Sequence, residues 1–158
     1  MAEPETQPAR VARVCSVVLG GERMAVDVRS VREVVELDDF TVVPAAPPRL
    51  LGVANLRGQA LPLLDAGPTL GVAAHARRDQ TVVLVVEDGG RPVGFVVDRV
   101  LGLDTVDAVQ AVNATAPPGQ VAFGLGVACC GEHQGLILDV VKLVRALRMS
   151  AEGKDPSC

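Results

Sequence analysis

The chain has 158 residues, 49% of them hydrophobic, 22% charged and 2% aromatic, which describes a globular protein of about one domain and excludes a disordered chain. At this length folding removes roughly 68 to 70% of the unfolded chain's surface from water, so the core needs neither disulfide nor metal to hold it. Nineteen acids against fifteen bases leave a net charge of -4, the wrong sign for a protein that neutralises nucleic-acid phosphates.

No apolar run approaches the roughly 18 residues of a membrane span. The opening MAEPETQPAR carries acids and prolines where a secretory signal has a basic and then an apolar segment, so direct membrane insertion is not expected and the cytoplasm is the expected compartment. Twenty-nine valines, 16 glycines and 11 prolines point to many short strands. Val14 to Leu19 and Arg23 to Val28 flank Gly20-Gly21 as a first hairpin. A turn near Arg29 to Val31 leads into a strand over Arg32 to Leu37, and Pro44, Pro47 and Pro48 then impose a loop. Leu51 to Leu56 and Ala60 to Leu64 form a second pair around Arg57-Gly58-Gln59.

Beyond a polar connector, His75 to Gln80, the apolar run Val82 to Val86 turns at Glu87-Asp88-Gly89-Gly90 and pairs with Val93 to Val100. Further strands are expected over Leu101 to Val106, Val121 to Ala128 and Gln134 to Leu138, with a loop at Pro117-Pro118-Gly119. From Asp139 the spacing of Val140, Leu143, Val144 and Leu147 predicts an amphipathic helix with Lys142, Arg145 and Arg148 outside. Gly52-Val53-Ala54 followed by Leu63-Leu64-Asp65 has the same offsets as Gly126-Val127-Ala128 followed by Ile137-Leu138-Asp139, which suggests two related β units, each ending at an aspartate able to cap a following helix. The alternative is a chance match in a composition dominated by Val, Ala, Gly and Leu.

Reactive constellations are scarce. The chain has no Tyr or Trp and no serine in a nucleophile-elbow setting. Cys129, Cys130 and His133 are the one set that suggests a metal or thiol enzyme, but a closed zinc site needs a fourth ligand and strand alternation sends the two thiols to opposite faces. Reduced thiols are therefore expected for Cys15, Cys129, Cys130 and Cys158, and His75 reads as a surface residue. Gly124-Leu125-Gly126 lacks the third glycine and the following helix of a dinucleotide loop, and the carboxylates Asp38, Asp39, Asp104 and Asp107 sit where solvation or capping is their usual use. No catalytic residue, cofactor or metal is expected. What remains is Asn55-Leu56-Arg57-Gly58, a polar bend between two apolar strands, where an arginine can present a guanidinium fork to a partner's carboxylate. An internal ion pair to Glu33, or an arginine merely exposed in a turn, competes with that reading.

The segment Leu51 to Asp65, LGVANLRGQALPLLD, resembles the central motif of CheW-like chemotaxis coupling proteins. Val31-Arg32-Glu33-Val34, Val93 to Val100 and Gly135 to Leu143 resemble further family elements in register, so the likeness covers about residues 12 to 148. Two departures stand out: Val17 and Met24 occupy first-strand positions that are usually aromatic in the family, and Ala66 stands where a leucine usually follows the motif's aspartate. The resemblance implies a mainly β fold of two intertwined five-stranded SH3-like barrels with short helices and a C-terminal helix. These would form a single domain over 12–148, between a disordered arm (1–11) and a disordered tail (149–158).

It also implies a non-enzymatic scaffold that couples the cytoplasmic tip of a methyl-accepting chemotaxis receptor to the regulatory domain of a CheA-type histidine kinase and is recruited to receptor arrays. Val31, Glu33, Asn55, Arg57 and Gly58 match the segments that serve receptor and kinase binding. The alternative within the family is a divergent paralogue that binds a receptor or other signalling partner without coupling to the kinase.

Overall fold

The computed structural model describes residues 12–47, 49–75 and 80–151, the side chains of 149–151 apart. The expected arm over 1–11, Pro48 of the proline loop, residues 76–79 of the connector and the tail over 152–158, with Cys158, lie outside the described residues. In chain order the elements are β1 (Arg13–Leu19), β2 (Glu22–Asp27), β3 (Glu33–Leu37), β4 (Leu50–Leu56), β5 (Gln59–Leu64), β6 (Thr81–Asp88), β7 (Arg91–Val97), β8 (Arg99–Thr105), β9 (Ala108–Gln110), α1 (Pro118–Phe123), β10 (Gly124–Cys130), β11 (His133–Leu138) and α2 (Val140–Ala151). Among the described residues no helix is long and apolar enough to cross a membrane.

The strands make two curled sheets, ordered β8-β1-β2-β11-β10-β9 and β3-β6-β7-β5-β4. The chain opens in the first sheet, builds the second with β3 to β7, and returns to complete the first, so the two units interlock. Their inner logic is the same: taken along each order from β8 or β3, successive pairs are antiparallel, antiparallel, parallel and antiparallel. The repeat seen in the sequence is a repeat of register. Gly52 faces Leu63 and Val53 faces Pro62, while Gly126 faces Ile137 and Val127 faces Leu136; each hairpin has a bulge at the same place, between Leu50 and Gly52 and between Gly124 and Gly126. Even the closing pairs correspond, for Thr41 bridges Val53 as Gln110 of β9 pairs with Val127.

Alternation along the strands sorts the buried side chains into three cores. Leu61, Leu63, Val83, Val85 and Val96 fill the inside of the second unit with Ala54 and Leu56, and Val14, Ala25, Ala128 and Ile137 fill the inside of the first. Between the units lies the largest core, where Leu64, Leu84, Val86, Phe95 and Val97 of one sheet meet Val17, Leu19, Met24, Val26 and Leu138 of the other under Val140, Leu143, Val144 and Leu147 of α2. Strands buried on both faces read as continuous apolar runs, which is why β6 shows no polar alternation. Val17, Met24 and Ala66, the positions that depart from the family pattern, are all buried in this shared core.

Several expectations need correction. The first sheet has six strands instead of five because the short β9 joins its edge. Val93 to Val100 is two strands, since Asp98 interrupts it: its N–H donates to the Val18 carbonyl (2.8 Å) and its carboxylate accepts from Gly21 N–H (3.2 Å), which turns the chain from one sheet to the other. The strand expected from Val121 starts only at Gly124, because Pro117 and Pro118 open the helix α1, where a proline at the first position loses no hydrogen bond. The turn near Arg29 is a 3-10 turn over Val28–Ser30, and the Asp27 carboxylate accepts from its Arg29 N–H at 2.9 Å. Of the two repeat aspartates, Asp139 caps α2 by accepting from Lys142 N–H (3.2 Å). Asp65, buried, instead holds a series of turns, accepting from Gly67 N–H (3.0 Å) and His75 N–H (2.9 Å). The last helix runs on through Ala151, past residue 148.

Candidate functional site

The bend between β4 and β5 is a two-residue turn. Leu56 faces Gln59, and the residues between them, Arg57 and Gly58, have φ of 49° and 85°. Two successive positive φ values are the signature of a type I′ hairpin turn, whose twist matches that of the strands it joins. Glycine takes this conformation freely, whereas arginine takes it at a cost. Asn55 stabilises the turn, its Oδ1 accepting from Gly58 N–H at 2.8 Å. The result is a fixed pedestal for one guanidinium.

Arg57 pairs through Nη2 with Glu33 Oε2. Glu33 stands on the same side of β3 as Val35 and Leu37, which pack into the interior of the second unit, so the ion pair spans the mouth of that barrel. β3 and β4 are opposite edges of the flat strand order, and the sheet meets itself because it is rolled. The internal ion pair weighed from the sequence therefore forms, yet the arginine side chain stays 65% exposed against 27% for Glu33. One carboxylate engages one nitrogen of the fork, and the rest of the guanidinium faces solvent. Val31, which follows the 3-10 turn, is half-buried and packs against the margin of the shared core. Glu33, Asn55, Arg57 and Gly58 thus gather at one rim, while Val31 lies at the base of β3 as a packing residue. Asn55 and Gly58 also line an open groove that runs along the bend to Thr41 and Ala60.

The other candidate residues are placed as follows. Cys130 packs against the interior of the first unit and faces His133 across the hairpin, and Cys129 Sγ accepts from Gln134 Nε2 at 3.8 Å. Among the described residues no three His, Cys, Asp or Glu side chains converge as a metal site. Burial pushes the Cys130 thiol up, with the charges of Asp104 and Asp107 adding to the effect. Burial raises the Cys15 thiol likewise, helped by Asp104. Because the thiolate is the nucleophile, Cys15 is expected to remain unmodified by iodoacetamide at pH 8 in the native protein and to react once urea unfolds it. Mass spectrometry showing equal labelling with and without urea would contradict the buried placement.

His75 corrects the surface assignment: its side chain is 3% exposed, with Nδ1 3.7 Å from Asp98 Oδ1. The chain folds it in because Asp65 holds its N–H beside the turn series. Of the four carboxylates assigned to solvation or capping, only Asp39 acts locally, while the other three tie segments remote in sequence. Asp104 pairs with Arg23 (3.2 Å) and accepts from Ser16 Oγ (2.6 Å), Asp107 accepts from Gly131 N–H, Asp39 from Phe40 N–H, and Asp38 from Gln80.

Two curled, interlocked β units that present a polar bend define a binding module. The family model for the CheW-like domain matches residues 13–148. A Klebsiella aerogenes protein named chemotaxis protein CheW is 30% identical over 136 residues, covering 84% of this chain and 81% of that protein. A Rhizobium meliloti protein of the same name is 36% identical over 111 residues, covering 69% and 72%. The Pseudomonas aeruginosa protein PilI is 33% identical over 105 residues, covering 66% and 58%. The crystal structure of the scaffolding protein TtCheW from Thermoanaerobacter tengcongensis shares the fold, with a TM-score of 0.71 at 24% identity over 84% of this chain and 86% of that one. The chain belongs to the CheW-like family. That family consists of non-enzymatic scaffold proteins, and the chain's function class is that of a chemotaxis coupling adaptor.

Proposed function

We propose that this chain, itself without catalytic activity, links the cytoplasmic tip of a methyl-accepting chemoreceptor to the regulatory domain of a CheA-type histidine kinase in receptor arrays, with the β4–β5 bend as a docking point. The observation that carries the reading is the exposed Arg57 guanidinium, set on a type I′ turn and braced by Glu33. Apolar strands beside one oriented arginine suit an acidic, apolar helix laid into a groove. Each such contact is modest, and an array makes it strong by holding many at once.

Arg57→Glu removes a charge-assisted hydrogen bond, worth roughly 1.5 to 3 kcal/mol. The variant is expected to weaken pull-down of a receptor-tip fragment by about tenfold to a hundredfold. The melt should shift little, since an exposed ion pair contributes about 1 kcal/mol at most. Receptor binding lost only in proportion to lost folding would refute the docking role. A second reading within the same family is that a receptor or other signalling partner is bound without the kinase. Titrating the kinase's regulatory domain against the protein separates the two, for absence of binding at high concentration selects the second.

A further inference from the structure

A pocket of ≈ 230 Å³ opens on the shared-core face of the second sheet, beyond the part that α2 covers. Leu50, Pro62, Leu64 and Val93 make its floor, and Arg91 and Arg148 stand at its rim. The volume falls below the about 300 to 1,000 Å³ of small-molecule sites, so it suits a single inserted side chain better than a metabolite. The rim is cationic. Arg145 Nε and Nη2 both donate to Asp88 Oδ1 at 3.2 Å, and Arg148 Nη1 donates to Asp88 Oδ2 at 3.0 Å. Asp88 therefore already serves two guanidiniums, and Arg91, which faces it across the hairpin, makes no ion pair among the described residues. Arg91 thus brings to this opening a guanidinium that no described carboxylate neutralises, in a chain whose net charge is -4.

The pocket and the bend form one surface. Ala60 lines both openings. β5 and β7 run parallel with Leu63 level with Gly94, and the same register carried back three residues sets Arg91 level with Ala60. Arg57 and Arg91 thus stand at the same end of the sheet, with the apolar floor opening beside them.

Resting on the proposed docking at Arg57, we infer that this pocket takes one apolar side chain of the same acidic partner helix, and that Arg91 receives a carboxylate from that helix. Side chains three or four positions apart share a helix face. The partner's acid accordingly stands three or four residues from its apolar anchor.

The test titrates the receptor-tip fragment against the 158-residue chain and its variants. Arg91→Glu is expected to weaken binding about fivefold to thirtyfold without changing the melt, and a Glu→Lys change in the fragment is expected to restore binding to Arg91→Glu alone. Unchanged binding by Arg91→Glu, while Arg57→Glu still weakens it, overturns the inference and leaves the docking reading intact. Loss of effect at both arginines removes the docking reading itself. If the double variant Glu152→Gln, Asp155→Asn binds more tightly and no longer responds to Arg91→Glu, the chain's own acids at 152 and 155 are the occupant and the inference fails.

Discussion

Replacing Phe95 with Ala is expected to destabilise the protein by about 3 to 5 kcal/mol, the cost of emptying a fully buried aromatic site. Phe95 is 0% exposed and sits in the core shared by both sheets and α2. The chain has three phenylalanines and no Tyr or Trp, and Phe95 is the one ring among the fully buried members of this core, with Phe123 packed only at its margin. A domain of this size loses roughly 2 to 4 °C per kcal/mol, so the melt should fall by roughly 6 to 20 °C. Both units border the vacancy, and the transition should stay single while it moves. A decrease of under about 2 °C would mean that the surrounding valines and leucines close the gap, and that the shared core is softer than its packing implies.

Gly119→Ala sets two effects of opposite sign against each other. Gly119 is the second residue of α1, and by propensity alone alanine there would add up to about 1 kcal/mol of helix stability. Space forbids it: a Cβ at Gly119 would lie 1.8 Å from the Thr69 carbonyl oxygen and 2.8 Å from its carbon. Both are backbone atoms of the turn series that Asp65 holds, so no side chain can swing aside. Sterics win over propensity. Overpacking typically costs about 1 to 3 kcal/mol, and a clash with fixed backbone belongs at the upper end, near 3 kcal/mol. The expected result is a melt lowered by roughly 6 to 12 °C. An unchanged or raised melt would show that α1 and the 66–71 turns are less tightly apposed than described.

Much of this architecture was legible in the amino-acid order, and the reasons for success and failure differ by element. The hairpin at Gly20-Gly21 is legible from turn residues whose required φ is local information, whereas the turn expected over Arg57-Gly58-Gln59 is one residue shorter, because Gln59 pairs with Leu56 and opens β5. The repeat was read from offsets, and the paired bulges show that those offsets carry register. α1 was missed because its Pro-Pro-Gly start is a loop signal and its six residues are too few for a helical period. The break at Asp98 was missed because an aspartate inside an apolar run becomes a boundary only through its bonds to Val18 and Gly21, which are remote in sequence. His75 was placed at the surface because its neighbours are polar, and its burial depends on Asp65 ten positions earlier. At the bend, the motif pointed to Asn55, Arg57 and Gly58, which the turn brings together. The closure of the barrel by Arg57 and Glu33, and the pocket rimmed by Arg91, arise only when the sheet rolls and brings separate strands together.

The two-faced burial of β6 has one more implication. Val83 and Val85 belong to the interior of one unit, while Leu84 and Val86 belong to the core between units. Sliding this strand by one residue against β7 would exchange the two sets at once, so neither face could absorb the error as a solvent-facing side would. Slips of β6 by an odd number of residues are thus penalised on both faces at once, which keeps the valine-rich centre of the molecule in phase despite its nearly uniform side chains.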